Sequence, residues 1–174
     1  MADMNLDDIR GYWRDLTAEA FQEYWSAYQR DVKPDVAHLL LVYRRLITAA
    51  LFMNHQADKT APLHGLERGN HFMDLIKASD ETLGLKLHAC RHFVNDAKHE
   101  MERVQEARTR LREPGFDSES SFDVFEINML AKDSELYDMC RIICDIWKFW
   151  IGYFEGTSLI NYRSALNAKH ESNP

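Results

Sequence analysis

The chain has 174 residues and a mass of 20.4 kDa, which is the length of one domain. Apolar residue types make up 45 % of it and charged types 28 %, which is ordinary for a globular domain. Only seven glycines and four prolines exclude collagen-like and low-complexity proteins, and four tryptophans, seven tyrosines and nine phenylalanines argue against intrinsic disorder. The formal net charge of −7 excludes a generally basic protein that coats nucleic acid, although it is compatible with a local basic patch.

The cysteine content and the N-terminal sequence both point to a cytoplasmic protein. The chain contains three cysteines, Cys90, Cys140 and Cys144. Such a sparse, odd number predicts free thiols in a reducing compartment. Met1–Asp15 is acidic and mixed, so we expect no secretory signal. The most apolar stretch, Ala37–Met53, is interrupted by Arg44 and Arg45 and falls short of the roughly 20 residues that a membrane-spanning helix needs.

The first half of the chain has the apolar spacing of successive helices. They are predicted over Leu6–Trp13, from a cap at Thr17 to Val32, over Val36–Asn54 and over about Leu66–Lys77. A polar loop, His55–Pro62, separates the last two. The helix that starts at Val36 is apolar nearly all round its circumference, which is typical of a helix at the centre of a bundle.

The second half of the chain predicts two longer helices with an extended segment between them. Ser79 or Asp80 caps the longest helix, Glu81–Arg112, which stops at Pro114-Gly115. Phe122–Leu130 alternates loosely and predicts a short strand or extended segment.

A final helix completes the predicted fold. Ser134 caps this helix, which runs through Glu155, and the polar residues 165–174 predict a disordered tail. We therefore predict an all-α fold over residues 1–164, built as one antiparallel bundle of four to five main helices with a short extended segment at 122–130.

One face of the longest predicted helix carries a stripe of polar side chains, namely His88, His92, Asn95 and His99. At about 100° per residue these four positions fall within about 60° of one another on the helix circumference. The apolar residues lie on the opposite side and are Cys90, Phe93, Val94, Ala97, Met101 and Val104. The stripe is therefore predicted to face away from the side of the helix that packs in the core.

Two kinds of chemistry are compatible with this stripe. A solvated surface or a dimer interface that carries no chemistry is compatible with it as well. His88 and His92 have the i, i+4 spacing of two metal ligands on one helix face, although nothing in the sequence marks a third ligand. Alternatively, a histidine can move a proton during phosphodiester cleavage because its ordinary pKa lies near neutrality. An asparagine can orient that histidine, and an arginine can hold the phosphate.

The segment Arg91–His99 (RHFVNDAKH) resembles the signature helix of HEPN domains, the higher-eukaryote and prokaryote nucleotide-binding superfamily. The motif of that family is an arginine, often followed by asparagine, and a histidine after a gap of four to six residues. Asn95 and His99 match its end, whereas Val94 stands where the family carries arginine. The resemblance implies an all-α, usually dimeric bundle, and many members belong to toxin–antitoxin or phage-defence systems and cleave RNA without a metal.

The resemblance also implies roles for individual residues. His99 would be the general base or acid, Asn95 would orient it and Arg91 would steady the phosphate. His92, Lys98 and Arg103 would bind the substrate, and the arginines that follow His99 would form a basic patch that tracks phosphates. We accordingly expect a homodimer that acts on RNA, with no cofactor and no catalytic metal.

A non-catalytic interaction protein is the alternative hypothesis. An antitoxin-like, immunity-like or regulatory bundle would use its acidic surface to bind a basic partner, such as a cognate toxin. Val94 favours this alternative because it removes the arginine of the family motif. Incubation with RNA in the presence of EDTA separates the two hypotheses, and metal analysis tests the metal site.

Overall fold

A computed structural model describes residues 8–99, 104–111, 123–130 and 135–171 of the chain. In this part of the chain the helices are α1 (Ile9–Tyr12), α2 (Ala18–Tyr28), α3 (Val36–Thr60), α4 (Gly69–Ser79), α5 (Glu81–His99), α6 (Met139–Glu155) and α7 (Tyr162–Glu171). The strands are β1 (Val104–Leu111), β2 (Asp123–Leu130) and β3 (Leu136–Asp138). The fold is therefore a mostly helical bundle that carries a small sheet.

Helix α3 lies at the centre of the bundle, where α2, α4, α5 and α6 pack against it. Each of these helices contributes large buried side chains to one common core, among them Tyr24, Leu46, Phe72, Phe93 and Trp150. The central position predicted for the helix that starts at Val36 is confirmed. Its predicted end is wrong, because Gln56, Ala57 and Thr60 continue its buried side through most of the proposed polar loop His55–Pro62.

The same helix also meets a length and composition criterion for crossing a membrane. The apolar span Val36–His64 satisfies it, contrary to the expectation for Ala37–Met53, and 33 % of its most apolar window is buried within the protein. The core helix of a soluble protein passes the same test, so this finding is weak evidence for a membrane.

The first helices join without the break that the sequence suggests. A π-helical turn, Trp13–Thr17, connects α1 directly to α2. Thr17 has helical backbone angles and makes no cap hydrogen bond; its hydroxyl instead donates to Oε1 of Gln56 over 3.4 Å inside the core. Helix α2 ends at Tyr28, earlier than the predicted end at Val32. Helix α4 begins at Gly69, a few residues after the predicted start at Leu66.

The helix predicted over Glu81–Arg112 is shorter than expected. It begins at Glu81 as predicted, and Oδ1 of Asp80 accepts a hydrogen bond from the Leu83 N–H at 2.9 Å. It ends at His99 rather than at Arg112, because residues 104–111 form β1 and pair with β2 in an antiparallel ladder. The all-α prediction is corrected accordingly: the chain carries a three-stranded antiparallel sheet in the order β1-β2-β3.

The extended segment predicted at 122–130 is confirmed as β2, which lies in the middle of this sheet. The last long helix begins later than predicted, because β3 occupies residues 136–138 and Asp138 caps α6 by accepting a hydrogen bond from the Cys140 N–H at 3.0 Å. Ser134 and Pro114-Gly115 lie outside the described residues. Helix α7 covers residues 162–171, so much of the segment proposed as a disordered tail is helical.

Candidate functional site

The polar stripe lies on one unbroken helix, because α5 continues from Glu81 to His99. Asn95 and His99 are exposed near its C-terminal end, and His92 is half-buried one turn earlier. On the opposite side Phe93 and Val94 are buried in the core. The amphipathic spacing of the sequence thus holds these polar groups at the surface while the core side anchors the helix.

His88 belongs to a contact between helices and stands apart from the other members of the stripe. Its Nε2 lies 2.9 Å from Oδ1 of Asp74 on α4. This pair links α4 to α5 at the N-terminal half of the stripe. The other three members of the stripe are half-buried His92 and exposed Asn95 and His99, and we call these three residues the polar face.

Two cationic residues flank the polar face on one side. Arg91 is half-buried and Lys98 is exposed. By helical geometry they lie about 80° and 100° from His99 around the axis of α5. Their side chains are long, so both can reach a phosphate held at the polar face.

The basic patch proposed for the end of this helix does not form in the predicted way. Arg103, a predicted substrate-binding residue, lies outside the described residues. Arg108 lies on β1, where its Nη2 is 2.9 Å from Oε1 of Glu126 on the neighbouring strand. Arg108 therefore lies on the sheet and is not part of α5.

Beyond the polar face, on the side away from Arg91 and Lys98, α5 packs against α3. The rings of Tyr43 and Phe93 meet edge to face with centroids 6.2 Å apart, which joins α3 to α5. Burial and the charge of Asp96 raise the pKa of Tyr43 above its ordinary value. The sequence does not indicate a role for Tyr43, because its position in an apolar helix is typical of a core residue. Asp96 is detectable as a neighbour of the stripe, because it lies about 80° from His88 around the helix axis.

Helix α3 continues this surface with apolar side chains. Val36 and Leu40 are exposed, and Ile47 and Leu51 are half-buried on the same side of the helix. An apolar strip of this kind beside polar residues is typical of a protein interaction surface. We call these four residues the α3 strip.

Two further properties of the site are its capacity to bind a metal ion and its position relative to the clefts of the protein. Within the described residues no group of three or more His, Cys, Asp or Glu side chains is placed to hold a metal ion. Clefts of about 630, 420 and 300 Å³ lie elsewhere on the molecule, so these concave regions do not enclose the polar face. Within the described residues, Asn95 and His99 are the exposed members of the polar face and His92 is half-buried.

Comparisons with known proteins do not extend this description. No protein-family model, no curated protein and no solved structure matches the chain. The similarity to HEPN domains therefore remains a prediction that depends on Arg91–His99.

Proposed function

We propose that this chain is an RNA-directed protein of the HEPN type that cleaves phosphodiester bonds at the polar face without a metal, as toxin and phage-defence ribonucleases do. The observation that carries the proposal is that Asn95 and His99 are exposed together on one unbroken helix, whose other side is fixed in the core. A general acid or base has to be both accessible and held in position, and this arrangement supports both requirements.

The proposed reaction needs one proton donor, one proton acceptor and a group that holds the phosphate. The 2′-oxygen of a ribose loses its proton and attacks the adjacent phosphorus, and the bond from phosphorus to the 5′-oxygen breaks. His99 transfers a proton to or from these oxygens, and the Asn95 carboxamide orients its imidazole. Arg91 neutralises the charge that develops on the phosphate, while His92 and Lys98 hold the neighbouring RNA backbone.

A homodimer would turn the open polar face into a cleft. The α3 strip lies on the helix that packs against α5 where Tyr43 meets Phe93, and its apolar side chains offer area for a second copy to cover. A two-fold dimer uses the same patch on both subunits, so docking there would bring two polar faces to one boundary. The proposal therefore includes a dimer whose composite site provides two histidine sets to one RNA strand.

Cleavage of RNA in the presence of EDTA tests the proposal. We expect the wild-type protein to cut RNA and to leave cyclic 2′,3′-phosphate ends, and we expect His99→Ala to lower the rate by about 10²–10⁴-fold, the usual contribution of general acid–base catalysis. His71→Ala is the matched control, because His71 is an exposed histidine on α4 outside the polar face. Full activity of the His99 variant would contradict the assigned role, and loss of activity in both variants would point to misfolding.

A second candidate is the non-catalytic interaction protein, and the position of Val94 favours it. The family arginine would occupy this position, and here the side chain is buried in the core on the far side of α5 from His99. If the wild-type chain binds RNA or a basic partner protein but cuts no RNA with or without divalent metals, this second function replaces the first.

A further inference from the structure

The largest of the clefts described above lies on the other side of α5 from the polar face. It has a volume of about 630 Å³, within the range of small-molecule sites. The sheet, the beginning of α6 and Lys86 of α5 form its walls. Lys86 is about 160° from His88 around the axis of α5, so the cleft is separate from the proposed RNA site.

The charged side chains of this cleft are arranged by depth. Asn128 is buried, and the Glu126 and Asp138 side chains keep only 16 % and 10 % of their surface exposed. The arginines lie further out: Arg108 is 55 % exposed and Arg141 is 66 % exposed. Around these residues the cleft therefore has an acidic floor and a basic rim, whereas Lys86, 28 % exposed, lies deeper than its partner Asp145, 39 % exposed.

One carboxylate on the floor already binds a guanidinium group. Oε1 of Glu126 accepts hydrogen bonds from Nη2 of Arg108 at 2.9 Å and from Nδ2 of Asn128 at 3.2 Å. The Asn128 amide is bound within the fold and fixes the Glu126 carboxylate, whereas the Arg108 side chain reaches it from the solvent side. Glu126 is thus pre-oriented for a guanidinium that approaches through the cleft.

The other ion pairs keep the cleft close to neutral. Nζ of Lys86 is 2.7 Å from Oδ2 of Asp145, and Nε of Arg141 is 3.5 Å from Oδ2 of Asp138. A ligand with only negative charge would bind the cations of these pairs and leave the carboxylates without counter-charges. A ligand with only positive charge would bind the carboxylates and leave the cations without counter-charges. A ligand that carries both charges avoids both costs.

From this arrangement we infer that the cleft binds a small molecule with a guanidinium at one end and a carboxylate at the other, as in arginine, whose α-ammonium adds a third charge beside the carboxylate. The ligand guanidinium takes the place of Arg108 on Glu126, where its planar fork fits the carboxylate. Arg108 then turns with Arg141 to bind the ligand carboxylate at the rim. Glu126 keeps a guanidinium partner in this exchange, and Arg141 binds the ligand carboxylate through the part of its guanidinium that does not face Asp138, so Asp138 keeps its counter-charge. The methylene stem of the ligand packs on Ile142.

Titration calorimetry with a matched set of probes tests this inference. L-arginine carries both charged ends, agmatine lacks the carboxylate and L-citrulline replaces the guanidinium with neutral urea. We expect L-arginine to bind saturably. Each incomplete analogue should bind at least roughly tenfold more weakly, which is the effect of losing one charge-assisted hydrogen bond. N-acetyl-L-arginine distinguishes the sources, because equal affinity indicates the C-terminus of a peptide and weaker affinity indicates the free amino acid.

Two variants assign the binding to the two levels of the cleft. Glu126→Gln removes the floor charge, so arginine affinity falls while citrulline is unaffected. Arg141→Gln alters only the exposed rim and brings the affinity for L-arginine closer to the affinity for agmatine. Because the Arg141 side chain is largely solvated, this variant keeps the test valid if the Glu126 variant unfolds. Arg68→Gln, an exposed arginine outside the cleft, is the control.

Absence of saturable L-arginine binding to the wild-type chain overturns the inference, as does binding that both cleft variants leave unchanged. Neither result bears on RNA cleavage, because the assay contains no RNA and the variants leave the polar face intact.

Discussion

The two sides of α5 are subject to different physical constraints although they share one backbone. On the core side, Phe93 and Val94 are enclosed by neighbouring elements. On the outer side, Asn95 and His99 are exposed. Substitutions on the first side should therefore change the free energy of unfolding, whereas substitutions on the second should change chemistry alone. This contrast separates residues that make the fold from residues available for function.

Val94→Arg is expected to have the largest effect, and it tests the contrast directly because it restores the arginine of the family motif. A guanidinium placed at this buried position would be moved from water into the apolar core. We expect a loss of about 5 kcal/mol of stability or more, comparable with the whole stability of many domains. Chemical denaturation followed by circular dichroism measures it. A stable variant with increased RNA cleavage would show that this position reaches the polar face after all.

Phe93→Ala is expected to have the second-largest effect on stability, because it removes a buried ring and leaves a cavity. The Phe93 ring contacts that of Tyr43, so its loss also loosens the junction between α5 and α3. We expect the free energy of unfolding to fall by about 3–5 kcal/mol, the usual cost of such truncations. Phe93→Leu provides the milder comparison in the same denaturation experiment. Equal stability of Phe93→Ala and wild type would mean that this part of α5 contributes nothing to the core.

Comparison of α5 with the segment that follows it shows how far local sequence predicts this fold. The start of α5, its cap at Asp80 and its amphipathic division all follow from spacing and residue type. Residues 104–111 contain Glu, Ala, Arg and Leu, which favour a helix in isolation. They form β1 because β2 pairs with them along the whole segment, and strand pairing depends on a partner distant in sequence. The hydrophobic alternation of β2 was visible, but its partner was not.

The candidate site was predictable to a similar extent. The polar face depends only on positions within one helix, so its exposure could be expected from the sequence. The contact of Tyr43 with Phe93 and the charged cleft around Glu126 depend on how α3, α5 and the sheet pack together. Arg108, for example, was assigned to a helical basic patch, whereas cross-strand pairing places it opposite Glu126. No local pattern records that kind of proximity.

Gly84→Ala tests the close approach of α4 and α5 and should have an intermediate effect. A Cβ at Gly84 would overlap the Cα and Cβ atoms of Lys77, so the two helices would have to separate. We expect a net loss of about 1–2 kcal/mol, since overpacking costs about 1–3 kcal/mol and alanine regains up to about 1 kcal/mol of helix propensity. Thermal unfolding measures the change. A more stable variant would show that the helices move apart at no cost.

The smallest effect on stability is expected for His99→Ala, which completes the contrast between the two sides. His99 is exposed in the last turn of α5, so its removal leaves no cavity. We expect the free energy of unfolding to stay within about 0.5 kcal/mol of wild type, as for most surface substitutions. Parallel denaturation of Asn95→Ala provides a second outer-side variant. A loss of several kcal/mol in either variant would mean that the outer side also supports the fold, and loss of RNA cleavage could then no longer be attributed to chemistry alone.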